Sequence, residues 1–283
     1  MKTGIKCGIT ITIFLVFLAV SSWAYPTFMA GEYNHIFFKN AENWVDVDSD
    51  NQISTGDYFY GILDIQEIVV NGQTIWQKSS GDYFTGYFLT EVINTTYLTN
   101  VNNTDIYTIT LGTYTGSDPN GIITDQELAA GVVMKLFTDT STAYQTTSDI
   151  ATDIQYATDG NFWASLTIEN GYWYTTAPLT PPGAGNDVGD GFGGLNFYEN
   201  TMLDPSLWVK IDDPVENVIN IPAHLIFQVE LTDQPIELQG SGWRFGSNDP
   251  ATVFPTPEPA SIILMGSSLM LIAAAARKKF VKK

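Results

Sequence analysis

Alternation of apolar and polar residues is the dominant pattern in the middle of the chain. The apolar positions of these segments carry many β-branched and aromatic side chains, which pack well on a pleated surface. The clearest strand candidates are residues 83–92, 106–114, 207–211 and 225–231. A sheet that is covered on at least one face needs segments of this kind. The pattern predicts a mainly β protein, with an antiparallel β-sandwich-like domain and one or two short helices over residues 25–254.

Turn residues between apolar runs predict hairpins. Asn-Gly and Asp-Gly pairs tolerate the positive φ angles of a type I′ turn, and between β-branched and aromatic runs they are the strongest short-range hairpin signal. Three hairpins are predicted, at Asn71-Gly72, Asn170-Gly171 and Asp159-Gly160.

Two short helices are predicted within the β-rich region. Thr124 and Glu127 have the spacing of a capping box, and Ser148 can cap a second helix. The apolar stripe of the first helix would comprise Leu128, Val132 and Leu136. The stripe of the second would comprise Ile150, Ile154 and Ala157.

Residues 181–194 are rich in Pro and Gly and contain Asp187 and Asp190. This composition predicts a long exposed loop. The loop is the best internal boundary in the chain, although a single domain is favoured. No internal repeat is evident.

The first 24 residues have the layout of a secretory signal peptide. Lys2 and Lys6 form a positive segment, residues 9–20 are apolar, and Ser22 and Ala24 supply small side chains at the two positions that a signal peptidase reads. Cleavage after Ala24 is predicted. A retained N-terminal anchor is the alternative.

The last segment, residues 255–283, has a second targeting layout. A Pro-rich break precedes an apolar run, 261–276, which is near the lower length limit for a transmembrane helix, and the chain ends in the basic tail 277–283. By the positive-inside rule the tail stays in the cytoplasm, and the residues before Pro257 lie outside.

This layout resembles the PEP-CTERM sorting signal of exported bacterial proteins. The matching residues are the tripeptide Pro257, Glu258 and Pro259 and the basic residues Arg277, Lys278 and Lys279. The resemblance implies that an integral-membrane exosortase recognises and cuts the signal. It also implies a path from an inner-membrane-anchored intermediate to the cell surface or extracellular matrix of a Gram-negative bacterium. It concerns destination only and does not address chemistry.

The charge balance of the exported part is strongly acidic. The whole chain has 12 Lys and Arg against 31 Asp and Glu, a formal net charge of −19, and residues 25–256 hold five basic and 30 acidic residues, a balance of −25. Such a surface repels nucleic acid, which excludes nucleic-acid binding, and it attracts divalent cations. Solubility alone is the alternative explanation. The single cysteine, Cys7, lies in the signal peptide, so the mature protein has no disulfide and no cysteine metal site.

Residues 46–57, the aspartate loop, contain the best chemical motif in the chain. Counted as a 12-residue loop, Asp46, Asp48 and Asp50 take positions 1, 3 and 5, and Asp57 takes position 12. Hard oxygen ligands at this spacing can surround a Ca²⁺ ion. Further ligands would be the carbonyl oxygen of Gln52 and, at position 9, Ser54.

The aspartate loop resembles the calcium loops of EF-hands, and of dockerins in particular. It departs from them at position 6, where Asn51 stands in place of glycine, and after Asp57, where residues 58–70 read as a strand and not as an exit helix. The metal chemistry is therefore carried over, but the dockerin fold and its cohesin partner are not. A solvated acidic turn is the alternative.

A weaker form of the motif spans residues 116–127. Asp118, Asn120 and Glu127 take positions 3, 5 and 12, but position 1 is a glycine, which supplies no side-chain ligand. The alternative is that Thr124 and Glu127 simply cap the helix that follows.

No arrangement of residues typical of an enzyme stands out. The two histidines, His35 and His224, are far apart in sequence, and no serine has the glycine pattern of a nucleophile elbow. A structural or surface role is predicted for both histidines. Paired carboxylates could serve a glycosidase, but with so many scattered acids any pair is a poor signal.

An aromatic cluster surrounds one predicted hairpin and consists of Trp163, Tyr172, Trp173 and Tyr174. Alternating rings on one face could stack on sugar, and core packing is the alternative. Two functions remain. The first is a non-enzymatic, calcium-stabilised protein of the surface matrix or biofilm, associated with exopolysaccharide. The second is a secreted carbohydrate-binding module or carbohydrate-active enzyme.

Overall fold

The structure is a computed structural model that describes residues 26, 28–79, 81–140, 146–200, 208–211 and 222–256, without the side chains of 169–174 and 200. Over these residues ten strands pair antiparallel in one large sheet, and two short helices pack against it. The prediction of a mainly β, antiparallel domain is confirmed. The predicted signal peptide, 1–24, lies outside the described residues, as does the predicted sorting signal, 255–283, apart from its first two residues. Within the described part, no helix is both long enough and apolar enough to cross a membrane.

Two helices interrupt the succession of ten strands along the described chain. The strands are β1 (Asn34–Val45), β2 (Tyr58–Val70), β3 (Gln73–Gln77), β4 (Tyr83–Val101), β5 (Thr104–Thr113), β6 (Val132–Asp139), β7 (Asn161–Ala177), β8 (Asp187–Asn200), β9 (Leu225–Asp233) and β10 (Phe245–Val253). The helices are α1 (Asp125–Ala129), between β5 and β6, and α2 (Ile150–Thr158), between β6 and β7. A single 3₁₀ turn, Ile236–Leu238, lies between β9 and β10.

The strand pairings close on themselves. The order is β3-β2-β1-β10-β9-β8-β7-β5-β4-β6, and β2 also pairs with β4 and β7 with β6. Strands β2, β1, β10, β9, β8, β7, β6 and β4 therefore form a closed ring of hydrogen-bonded neighbours. The first and last strands of the chain meet within it, because Asn34 pairs with Val253 and Glu42 with Phe245.

Alternate residues of the strands face a central core. In β1 the even positions are buried, and Ile36, Phe38 and Trp44 belong to the larger apolar cluster, which takes residues from most of the sheet. A smaller cluster combines Leu128 of α1 and Ile154 of α2 with side chains from the other face of the strands. Full burial of one such side chain contributes about 1.5–3 kcal/mol, so packing supplies the stability of a chain whose only cysteine is Cys7.

One of the three predicted hairpins is confirmed. Asn71 and Gly72, with φ angles of 50° and 76°, form the turn between β2 and β3. The other two predictions are wrong. β7 runs through Asn170-Gly171 as one strand whose register with β8 shifts at that point, and Asp159-Gly160 joins α2 to β7.

The predicted starts of the two helices agree with the structure better than their predicted lengths do. Thr124 and Glu127 form the capping box of α1, as expected. The predicted stripe is wrong, because Gly131 takes a φ of 90° after one turn of helix and the residues from Val132 onward enter β6. In α2 the buried stripe is confirmed, although Asp149 and not Ser148 takes the cap position.

The predicted loop at 181–194 is wrong over most of its length, since β8 begins at Asp187. Two of its glycines allow neighbouring strands to pack closely against β8. A Cβ on Gly193 would lie 2.2 Å from the ring of Phe227 on β9, and one on Gly189 would lie 1.6 Å from the carbonyl oxygen of Thr176 on β7.

Of the predicted strands, 83–92 and 225–231 fall within β4 and β9, and 106–114 runs one residue past the end of β5. The structure extends β4 to Val101. Over 207–211 the described residues form only isolated bridges, at Trp208 and Ile211. The sequence pattern missed β1 and β10, whose inward positions include polar residues such as Asn40 and Asp249.

Candidate metal centre

The aspartate loop is the connection between two neighbouring strands. β1 ends at Val45, β2 begins at Tyr58, and these two residues pair directly, so residues 46–57 form the end of a β-hairpin. The prediction of a strand after Asp57, in place of an exit helix, is confirmed. The loop therefore has the spacing of a calcium loop on a different framework.

Backbone turns fold the first half of the loop around its own carboxylates. Ser49 and Asn51 have left-handed φ angles of 61° and 59°. Asp46 accepts hydrogen bonds from the N–H of Asn51 at 2.7 Å and from that of Asp50 at 3.2 Å, and Asp50 accepts one from the N–H of Gln52 at 2.7 Å. The tolerance of Asn for this region explains how Asn51 can replace a glycine.

Three carboxylates meet in this turn. One oxygen each of Asp46, Asp48 and Asp50 lies within 4.8 Å of the other two, and the side chains of Asp48 and Asp50 are exposed. Partial desolvation, followed by repulsion from Asp50, raises the pKa of Asp48. Desolvation would also raise the pKa of Asp46, but hydrogen bonds from the N–H groups of Asn51, Ser49 and Asp50 outweigh it and lower that pKa. None of the described salt bridges involves these three residues.

Ser54 lies beside the three carboxylates, and Asp57 is buried at the base of the loop. The Ser54 hydroxyl donates to Asp48 at 3.5 Å, close enough to join a common coordination sphere. Asp57 is 1% exposed and accepts hydrogen bonds from the N–H of Val47 at 2.8 Å, the N–H of Ser54 at 2.9 Å and the indole N–H of Trp44 at 3.1 Å. Its carboxylate thus fastens both ends of the loop, and it does not belong to the group of three.

The second half of the loop is tied to the core. Ile53 is 2% exposed, and its N–H donates to the carbonyl oxygen of Leu179 at 2.7 Å. The N–H of Gly56 donates to the carbonyl oxygen of Val92 at 2.9 Å, and the N–H of Val92 donates to that of Asp57 at 2.8 Å. A rigid base of this kind holds the carboxylates together at the cost of their mutual repulsion.

The weaker loop is organised differently. Asp118 is 9% exposed and accepts hydrogen bonds from the Tyr87 hydroxyl and from the N–H groups of Asn120, Ile122 and Ile123, all at 2.8–2.9 Å. Glu127 completes the capping box and pairs with Lys135 at 2.9 Å. These carboxylates hold the turn and the helix start, which is the role given by the alternative interpretation.

Trp163 is not available to a sugar. It is 2% exposed, with its ring centroid 5.0 Å from that of Phe84 and 5.9 Å from that of Phe197. Core packing, the alternative for this residue, is its role. The side chains of Tyr172, Trp173 and Tyr174 lie outside the described residues, and only their backbone in β7 is described.

Both histidines have structural contacts. The Nδ1 atom of His35 lies 3.1 Å from the hydroxyl of Thr252 on the neighbouring strand, and Nδ1 of His224 accepts a hydrogen bond from the N–H of Phe197 at 3.1 Å. The ring of His224 also stacks on that of Phe197, at 6.0 Å between centroids. The prediction of a structural or surface role agrees with these contacts.

Two acids inside the sheet were not singled out from the sequence. Glu42 lines two interior cavities of about 40 and 20 Å³ and accepts a hydrogen bond from the side chain of Asn40. Burial, followed by repulsion from Asp249, raises the pKa of Glu42 to about 8, and burial raises that of Asp249 to about 7. The even-numbered alternation in β1 could have found Glu42, because Asn40 and Glu42 continue the inward positions of Ile36 and Phe38.

Comparison of the chain with family models, with curated proteins and with solved structures finds no match in any of the three.

Proposed function

We propose that this chain is an exported, non-enzymatic protein of a bacterial cell surface or extracellular matrix, and that its aspartate loop binds one Ca²⁺ ion that stabilises the fold. The observation that carries the calcium proposal is the convergence of Asp46, Asp48 and Asp50 within 4.8 Å in a turn that follows the calcium-loop spacing. The export proposal rests on the two targeting layouts in the sequence. A sandwich-like arrangement of the large sheet would suit a compact surface domain.

Binding of a divalent cation follows from the electrostatics of the loop. Three carboxylates are held close together by backbone hydrogen bonds, and a Ca²⁺ ion offers each of them a partner that the described salt bridges do not supply. Asp46, Asp48, Asp50 and Ser54 would hold the ion with the carbonyl oxygen of Gln52. Asp57 would fasten the loop beneath it.

Thermal unfolding tests the calcium proposal. A free Ca²⁺ concentration of about 100 times the dissociation constant would stabilise the folded state by about 2.7 kcal/mol. We expect EDTA to lower the Tm of the purified protein and the double variant Asp48→Asn/Asp50→Asn to abolish this response. Asp187→Asn/Asp190→Asn, which removes the same charge from β8, is the matched control and should respond as wild type does. An unchanged Tm in EDTA, together with no heat of Ca²⁺ binding in calorimetry, would refute the proposal.

Mass spectrometry tests the export proposal. Protein recovered from the surface of its native host should lack residues 1–24 and the hydrophobic peptide 261–276, because both signals would have been removed. Inactivation of the host's exosortase should leave the second peptide attached and retain the protein in the inner membrane. Recovery of an intact C-terminal tail on the surface protein would contradict the sorting route.

The alternative, a carbohydrate-binding module or carbohydrate-active enzyme, loses Trp163 as a stacking residue because that ring is buried. Glycan-array binding and the release of reducing sugar still separate the two functions. A protein with a purely structural role should show neither.

A further inference from the structure

The second half of β4 leaves the ring of strands. β4 pairs with β6 over residues 83–88 and with β2 over 85–91, and Val92 still exchanges hydrogen bonds with Gly56 and Asp57. Beyond this point its only described strand partner is β5, which continues along one side to the turn at Asn102-Asn103. The other side of residues 93–101 is therefore a free strand edge within the described part of the chain.

Four apolar side chains on this edge are exposed to solvent. The exposed fractions of Ile93, Tyr97, Leu98 and Val101 are 45%, 55%, 55% and 50%. In an antiparallel pair, alternate residues direct their N–H and C=O groups away from the partner strand, so about half of these residues present unpaired backbone groups at the edge. An exposed edge that combines unpaired backbone with apolar side chains is a template for another strand.

The same segment carries no charged side chain. Residues 92–104 contain no Asp, Glu, Lys or Arg, in a chain with a formal net charge of −19. Two copies of so acidic a protein repel each other over most of their surfaces, and this repulsion is weakest where neither copy carries a carboxylate. The other free edge, on β3, is only five residues long and is bordered by Glu67 and Lys78.

We propose that residues 93–101 of β4 pair antiparallel with the same residues of a second copy of this chain. A two-fold axis across the edge would place the residue on the axis opposite its own copy and satisfy the outward backbone groups of both copies. The register shifts at Ile93 and Leu98 mark bulges, which twist the edge, so regular pairing is expected in the stretch between them, residues 94–97. An isologous contact of this kind closes the assembly at two copies. The proposal is independent of calcium binding.

Sedimentation velocity in mild detergent, with chelator present, tests the proposal on the full purified chain. The wild type should form dimers that strengthen as added salt screens the repulsion between copies. Leu98→Lys/Val101→Lys should weaken association ten-fold or more, since pairing would have to remove water from charged side chains on the strand edge. Val209→Lys/Ile236→Lys, which adds the same charge at exposed apolar positions elsewhere, should dimerise as wild type does. Circular dichroism must show that both variants are folded.

Cysteine cross-linking gives a second test, because Cys7 is the only cysteine in the chain. In a Cys7→Ser background, single substitutions Thr95→Cys, Tyr97→Cys and Thr99→Cys sample the centre of the edge. At least one should form a disulfide-linked dimer under mild oxidation, because a residue on the two-fold axis comes within disulfide reach of its own copy. Gln73→Cys, on the edge of β3, should remain monomeric. A monomeric wild type at all concentrations, or no cross-link at any of the three positions, would overturn the proposal.

Discussion

Glu42 is the residue whose chemistry is most altered by the fold. Its carboxyl is enclosed between two interior cavities and lies near a second buried acid, Asp249. Both pKa values are raised, to about 8 and about 7, so the protonated forms are favoured in the folded state. The unfolded chain releases these protons first as the pH rises. Stability from this source is thus fully present below the unfolded pKa values, near 4, and is lost as the pH rises through 7 to 8.

We expect the urea midpoint of the wild type to fall between about pH 5 and about pH 9, because the folded state holds protons that the unfolded chain has already released. Glu42→Gln keeps the shape of the side chain without its charge, and should flatten this fall and be the more stable form at the alkaline end. Glu67→Gln, a partly exposed acid on β2, serves as the control and should retain the wild-type profile. A profile that is unaltered in Glu42→Gln would contradict the assignment.

Asp57 and Asp48 have opposite roles in the aspartate loop, and their removal should have opposite effects without calcium. Asp57→Ala leaves the N–H groups of Val47, Ser54 and Trp44 without their acceptor, at a cost of about 1–3 kcal/mol. Asp48→Ala removes one of three crowded charges and should not destabilise the protein in EDTA. Chemical denaturation of both variants in EDTA measures the difference. Equal losses of stability would mean that Asp57 has no special anchoring role.

Among the elements, β8 shows most clearly why glycine-rich sequence can form a strand. Gly193 lies directly beneath the ring of Phe227 in β9, where any Cβ would overlap it. We expect Gly193→Ala to cost about 1–3 kcal/mol through overpacking. Phe227→Leu should make room, so that the double variant loses less stability than the sum of the two single variants. Additive losses in this double-mutant cycle would show that the two residues are not coupled.

A turn and a helix cap were predictable from the sequence, whereas the lengths of the elements and their partners in the sheet were not. The Asn71-Gly72 turn and the Thr124–Glu127 capping box were predictable because their signals lie within a few residues of each other. The strand β1 was missed because its inward positions include Asn34, Asn40 and Glu42, which are buried only because β10 and β2 pair on either side.

The candidate site likewise combines a feature that the sequence predicts with one that depends on the folded sheet. The convergence of Asp46, Asp48 and Asp50 was predictable, since residues two apart in a tight turn are brought together by the turn itself. The anchoring role of Asp57 depends on Trp44, a residue of β1 whose indole N–H reaches the loop only in the folded sheet. The spacing of the motif could not distinguish a ligand from an anchor.

At the scale of the whole molecule, net charge should govern stability in solution. A formal charge of −19 opposes compaction, and monovalent salt screens this repulsion within about 10 Å at 0.1 M. We therefore expect the Tm to rise with added NaCl for the wild type and for Asp48→Asn/Asp50→Asn alike. CaCl₂ at matched ionic strength should raise it further in the wild type only. Equal effects of CaCl₂ on both proteins would indicate general screening and not a bound ion.

The meeting of β1 and β10 also bears on how the chain folds. The first strand pairs with the last across more than two hundred residues, so the ring cannot close while its final strand is still emerging from the ribosome or crossing a membrane. Pairing of such distant segments requires a large loop-closure entropy to be overcome first, which makes folding slow. A chain of this topology would stay open during its synthesis and close only once it is complete, and until then β1 would expose a strand edge that chaperones must protect.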